Sequence, residues 1–210
     1  SLDFFEIEKD TILNNEIREL SKFELRKNLL KNEIESLKIR DDLDINLKKK
    51  QIKKLERKLT LDSPFDHIII ASEGEKLLEI LSHLAFYDIN SDNTNIYGTS
   101  LWEDTNKNDN VFKNTYFVTS LQKKDEEFLN SFRGVFSKDP ISFNYHIHDL
   151  ISLVQNFQLL SEEEKSKDVF YGEFSTTKIN SGLLQREIFL KKILKNNLSE
   201  EVFSCKLDAL

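Results

Sequence analysis

Phe65 to Trp102 reads FDHIIIASEGEKLLEILSHLAFYDINSDNTNIYGTSLW, and this stretch decides the fold class. His67 to Ala71 is a short apolar run rich in β-branched residues, the pattern of a strand buried on both faces. Ser72-Glu73-Gly74 then turns the chain into an amphipathic helix, on which Leu77, Leu78, Ile80, Leu81 and Leu84 recur at helical spacing. A polar loop from Ile89 to Asn95 leads to a second short strand, Ile96-Tyr97-Gly98-Thr99. Strand, helix, strand in this order predicts a right-handed parallel crossover, because parallel neighbours need a long connection and strand twist selects its hand. In open α/β sheets, ligands and partners sit outside the carboxyl ends of such strands. Here those ends carry Ser72-Glu73-Gly74 and Gly98-Thr99-Ser100-Leu101-Trp102.

The 210-residue chain is long enough for one large domain or two small ones, and 39% hydrophobic residues suffice for a core. A formal net charge of −7 argues against a general nucleic-acid binder. The charge is unevenly spread. Lys22 to Lys58 holds 13 Lys/Arg against 7 Asp/Glu, a balance of +6 that leaves −13 for the remainder. Such a basic stretch reads as a solvated helix face, with a patch for anionic polymers as the alternative. The one cysteine, Cys205, has no partner for a disulfide within the chain and is either a small apolar filler or an exposed thiol. No apolar run approaches the roughly 18 residues that a membrane-spanning helix needs. No signal peptide is visible, and a chain that opens on Ser rather than Met suggests a processed product or a fragment.

Outside the central stretch, Leu2-Asp3-Phe4-Phe5 reads as the tail of a strand. From about Thr11 to Leu37 the pattern is helical, with Asp10 or Thr11 as the amino-terminal cap. A break near Asp41-Asp42 precedes a second helical stretch whose narrow stripe, Ile45, Ile52, Leu55 and Leu59, predicts an outer helix; a coiled-coil arm is the alternative. Ser63-Pro64 stops that helix. After a polar loop from Glu103 to Asn110, Tyr116 to Ser120 reads as a third strand. Asp125 caps a helix bearing Phe128, Leu129, Phe132, Val135 and Phe136, and another helix follows from about Asn144 to Leu159. The acidic Ser161 to Asp168 segment reads as a loop. Tyr171 to Ser175 and Arg186 to Leu190 are expected to flank a hairpin turn at Asn180-Ser181-Gly182.

Signals for chemistry are sparse. His146 and His148 lie two apart, a spacing that points them to different faces of a helix, and zinc needs three or four converging ligands, so no metal site is expected. His67 and His83 read as packing or surface residues. The paired carboxylates at Glu126-Glu127, Glu162 to Glu164 and Glu200-Glu201 fall in helix starts or loops, where negative charge suits the dipole or the solvent. Neither a nucleophile elbow nor a phosphate-binding Gly loop is present, and no cofactor or enzymatic activity is expected. Trp102, the only tryptophan, is a core anchor on one reading and an aromatic cleft wall or partner contact on the other. Gly98 permits a close backbone approach or marks a bulge.

FDHIIIASEGEKLLEILSHLAFYDI, then IYGTSLW, then YFVTS resembles the carboxyl-terminal half of type I periplasmic binding proteins. It is most similar to a Gram-negative branch of penicillin-binding protein activators and branched-chain amino acid-type substrate-binding proteins. The matching positions are Pro64-Phe65-Asp66, Glu73-Gly74, Leu84 to Asp88 and Gly98 to Trp102. His148-Asp149-Leu150 fits a helix start with His in the place of Tyr, and Gly172-Glu173-Phe174 through Asn180, Gly182 and Arg186 fits a closing hairpin. The match runs from about Asp10 to Ile193.

The resemblance implies an α/β fold: a Rossmann-like parallel sheet lobe with flanking helices and a C-terminal β-hairpin. It makes residues 1–210 a single partial domain, with lysine-rich helices over 10–59, a βαββ core over 64–120, helices over 125–160 and the hairpin over 170–193. The family's amino-terminal lobe has no counterpart before Ser1, so the expected partner is that missing lobe or an upstream chain, and the helices at Asp125 and Asn144 lack their usual sheet. By analogy a ligand or partner half-site would comprise Ser72, Glu73, Gly98, Ser100, Leu101 and Trp102. The implied role is non-enzymatic and periplasmic, activating a peptidoglycan synthase (a penicillin-binding protein) by protein contact. The alternatives are a transporter's solute receptor for an amino acid or other small ligand, and a degenerate fragment with a structural role.

Overall fold

The computed structural model describes residues 5–6, 12–42, 44–157, 169–180, 183–195 and 197–206. The chain divides into two compact units, residues 1–68 with 75–96 and residues 69–74 with 97–210, and the division falls inside two short strands, β1 (His67–Ile70) and β2 (Asn95–Gly98).

The first unit is helical. The periodic stretch expected to form one helix forms two, α1 (Leu13–Leu20) and α2 (Phe23–Ile39), because Lys22 takes a left-handed φ of 50° between them. Asp44 accepts from the backbone N–H of Asn46 and Leu47 to start α3 (Ile45–Leu55), in which no residue is buried. The crossover helix, α4 (Gly74–Phe86), buries Leu77, Ile80, Leu81 and Leu84. Arg26, 5% exposed, organises this unit: its guanidinium donates to the backbone carbonyls of Ser21, Leu61, Asp62, Tyr87 and Asp88. Buried carbonyls need donors, and the planar guanidinium fork supplies several from one side chain.

The second unit is built on the five-stranded sheet, ordered β1-β2-β3-β7-β8, with β3 at Tyr116–Thr119, β7 at Ile188–Lys195 and β8 at Leu198–Cys205. β2 and β3 pair in parallel, Gly98 opposite Phe117; β3 and β7 pair antiparallel, Thr119 opposite Phe189. The fold class is therefore α/β, with a mixed sheet. β1 departs from the expectation of burial on both faces. It is an edge strand, with His67 exposed and Ile69 71% exposed. A run of isoleucines signals strand propensity, but position in the sheet decides which faces are covered.

Asp125 caps α5 (Glu126–Phe136) as expected, accepting from Glu127 N and Phe128 N. α6 spans Ser142–Phe157. The expected hairpin strands are corrected. β5 (Thr176–Asn180) pairs antiparallel with β6 (Leu183–Arg186), Asn180 opposite Leu183, and β4 (Val169–Tyr171) completes a three-stranded sheet. A second hairpin, β7–β8, follows. Ser181, Gly182, the acidic 161–168 segment and the strand expected at residues 2–4 lie outside the described residues. Cys205 is an exposed thiol in β8.

Candidate functional site

All six residues of the expected half-site belong to the second unit, Gly98 at the end of β2 and the other five on the two turns that follow β1 and β2. Trp102 ties these turns together. Its indole Nε1 donates to the Ile70 carbonyl at 3.1 Å, its ring is 0% exposed, and it meets Phe112 edge-to-face at 5.9 Å. Of its two readings, the core anchor is the one realised. Gly98 is the reason the ring fits: a Cβ there would lie 2.0 Å from Trp102 Cδ2. Gly74, at a φ of 58°, donates its N–H to Thr105 Oγ1 at 3.1 Å, a second tie between the turns. A 3₁₀ turn over Ser100–Trp102 then presents Ser100 and Leu101 outward.

The outcome is a ledge with two layers. Glu73, Ser100 and Leu101 are exposed, Leu101 at 45%, and Ser72 is half-buried beside them. Gly98 and Trp102 lie beneath. Thr99, between the layers, has a buried Oγ1 without a hydrogen-bond partner among the described residues.

Behind the ledge the loop from Glu103 to Asn108 is pinned by buried charge. Lys107, 7% exposed, donates from Nζ to the carbonyls of Glu103 (3.0 Å) and Thr105 (2.9 Å) and sits 4.9 Å from the centre of the Phe117 ring. Burial, with the neighbouring Lys124 charge, lowers its pKa to about 8. Burial raises the Glu103 carboxyl above its usual value, opposed by the hydroxyl hydrogen bond it accepts from Thr119. Asp104 reaches the start of α6, accepting from Ser142 N at 2.8 Å and Ser142 Oγ at 2.6 Å, and pairs with Lys124 at 3.0 Å. A carboxylate at a helix amino terminus satisfies orphan N–H groups and complements the dipole. Sequence reading missed Asp104 because a cap supplied from 38 residues away leaves no local pattern.

Among the described residues, Ser120 and His146 form an arrangement suggestive of catalysis, with Oγ and Nε2 3.1 Å apart at the end of β3. A nucleophile needs a base that is both basic and oriented by a third group. Burial, and next the Arg186 charge, lower the His146 pKa to about 4, and its Nδ1 has no partner among the described residues. Among the described residues the pair therefore lacks the orienting carboxylate of a triad, and its imidazole is less basic than an ordinary histidine. His148 packs on Phe128 and Phe174 instead, with ring centroids at 5.2 and 5.3 Å. Among the described residues no three His, Cys, Asp or Glu side chains converge as metal ligands, and no helix is long and apolar enough to cross a membrane.

No protein-family model matches the sequence, and no curated protein matches it. A search of solved structures finds similarity to an extracellular ligand binding receptor from Desulfohalobium retbaense DSM5692, at 15% identity and a TM-score of 0.46, covering 76% of this chain. The chain spans 29% of the length of that receptor.

Proposed function

We propose that the chain is a non-enzymatic binding domain of the type I periplasmic-binding class, acting through the ledge of Ser72, Glu73, Ser100 and Leu101. The role is activation of a peptidoglycan synthase in the periplasm by protein contact. One observation carries this reading: an exposed Leu101 and an exposed Glu73 stand on turns locked from below by the buried Trp102. An apolar anchor with a polar rim on a rigid base suits a protein interface, since little conformational entropy is lost on docking. The sequence resemblance supplies the class and the partner. The apolar residues exposed on α5 and α6 support the expectation that another lobe or chain accompanies this one.

The buried, unpartnered Thr99 Oγ1 favours a second reading, a solute receptor, because a ligand group would satisfy it. Two arms of one experiment separate the readings. Addition of the protein to a purified bifunctional penicillin-binding protein is expected to raise glycan polymerisation, and Leu101→Glu with Glu73→Lys is expected to remove the effect. A thermal-shift panel of amino acids, read against acetate at the same concentration, is expected to show no stabilisation particular to one amino acid. Stabilisation by a single amino acid, with no effect on the synthase, would establish the receptor reading and overturn the activator one.

A further inference from the structure

Ser120 and His146 meet just past the carboxyl end of β3, and the Arg186 charge acts on the same imidazole. Thr119 pairs with Phe189 of the antiparallel β7, so the residues that lead into β7, Arg186 and Glu187, pass beside Ser120. His146 reaches the same corner from α6, with its Nε2 3.1 Å from Ser120 Oγ. Two nitrogens here are shielded from solvent and have no hydrogen-bond partner among the described residues: His146 Nδ1 and Arg186 Nε. Arg186 also has no ion pair with a described carboxylate. The nearby Asp149 is already engaged, accepting from Glu173 N, Phe174 N and Ser175 Oγ. A guanidinium donor withdrawn from water without an acceptor is costly, as is an imidazole nitrogen left unpaired.

We propose that Ser120, His146 and Arg186 form a binding site for a ligand bearing a single carboxylate. Ser120 donates its hydroxyl proton to His146 Nε2, which fixes the tautomer with the proton on Nδ1. The Nδ1–H and the Arg186 Nε–H are then two free donors for the two oxygens of one carboxylate. The charges also match. His146 is neutral near pH 7, so the positive charge at the corner is that of Arg186, with Lys124 a weaker contributor opposed by Asp149 and Asp104. A dianionic phosphate would leave surplus negative charge beside Asp104 and Asp149, both of which act on His146. All three residues are half-buried, with the two unpartnered nitrogens on their inner, shielded side. The site is independent of the ledge.

The test is imidazole ¹⁵N NMR of the full chain, titrated with acetate against chloride at constant ionic strength, with phosphate as a further probe. Expected is a saturable shift of the His146 nitrogens with acetate, starting from the Nδ1–H tautomer, and a weaker response to phosphate. Arg186→Gln is expected to weaken acetate binding by about tenfold to a hundredfold, the loss of one charge-assisted pair. Should that variant fail to fold, Arg186→Lys keeps the charge without the fork and is expected to bind measurably but more weakly than the unaltered chain. No saturable acetate response, or phosphate binding more tightly than acetate, overturns the proposal. So does a variant with Glu162, Glu163 and Glu164 changed to Gln and Asp168 to Asn, if it alone shifts the His146 signals without added acetate, since the carboxylate would then be the chain's own.

Discussion

His146 is held to a pKa of about 4 against an ordinary 6.5, chiefly by burial and next by the Arg186 charge, with Lys124 acting in the same direction and Asp149 and Asp104 opposing. As the pH falls below 6.5, the unfolded chain takes up a proton that the folded chain refuses until about pH 4. The stability His146 contributes is therefore complete above pH 6.5 and lost between there and pH 4. Because the ring is partly open to water, the loss is expected to be about 1–3 kcal/mol rather than more. Urea unfolding at a series of pH values checks this, with His146→Gln expected to flatten that part of the curve. An unchanged slope in the variant would mean the imidazole is solvated and titrates normally. Trp102 teaches the complementary lesson at this scale. A lone tryptophan after a strand was legible as important, but only the neighbouring Gly98, which leaves room for the ring, distinguishes a buried anchor from an exposed wall.

Asp149 joins one element to the next. From α6 its buried carboxylate accepts from Glu173 N at 2.9 Å, Phe174 N at 3.2 Å and Ser175 Oγ at 2.7 Å, and so shapes the turn between β4 and β5. That turn delivers Phe174 into a cluster with Tyr145 and Leu121, at 4.9 Å between the Phe174 and Tyr145 rings. Asp149→Asn replaces an acceptor of several bonds with an amide that must aim its NH₂ at donors, and is expected to cost about 2–4 kcal/mol. Glu126→Gln on the exposed start of α5 is expected to stay within about 0.5 kcal/mol. Equal midpoints for the two variants in chemical denaturation would sink the argument. Elements with local signals were legible: the Asp125 cap and the apolar stripe of α4. The break between α1 and α2 was not, because Lys22 adopts the left-handed conformation without the Gly or Asn that normally announces it. The β7–β8 hairpin also escaped, although Asn197, at a φ of 62°, is a residue type suited to such a turn.

α6 carries apolar residues on two sides, and that pattern bears on the whole molecule. Tyr145, Asp149 and Leu153 follow one another at four-residue spacing and are buried. Phe143, Ile151 and Val154 form a second stripe at 62%, 52% and 54% exposure, and α5 exposes Val135 at 74% and Phe136 at 59%. A helix that covers a core on one side needs only one apolar stripe, so the second is unexplained by the packing of the described residues. Contiguous exposed apolar surface on a protein marks a site of association or a liability to aggregate. The isolated chain is therefore expected to self-associate as its concentration rises. Phe143→Lys combined with Val154→Glu is expected to suppress that association in light scattering while changing the unfolding free energy by no more than about 0.5 kcal/mol, because both side chains keep more than half of their surface in water. Destabilisation well beyond that value would show that these residues are packed within the chain, and the stripe would then no longer support an accompanying lobe.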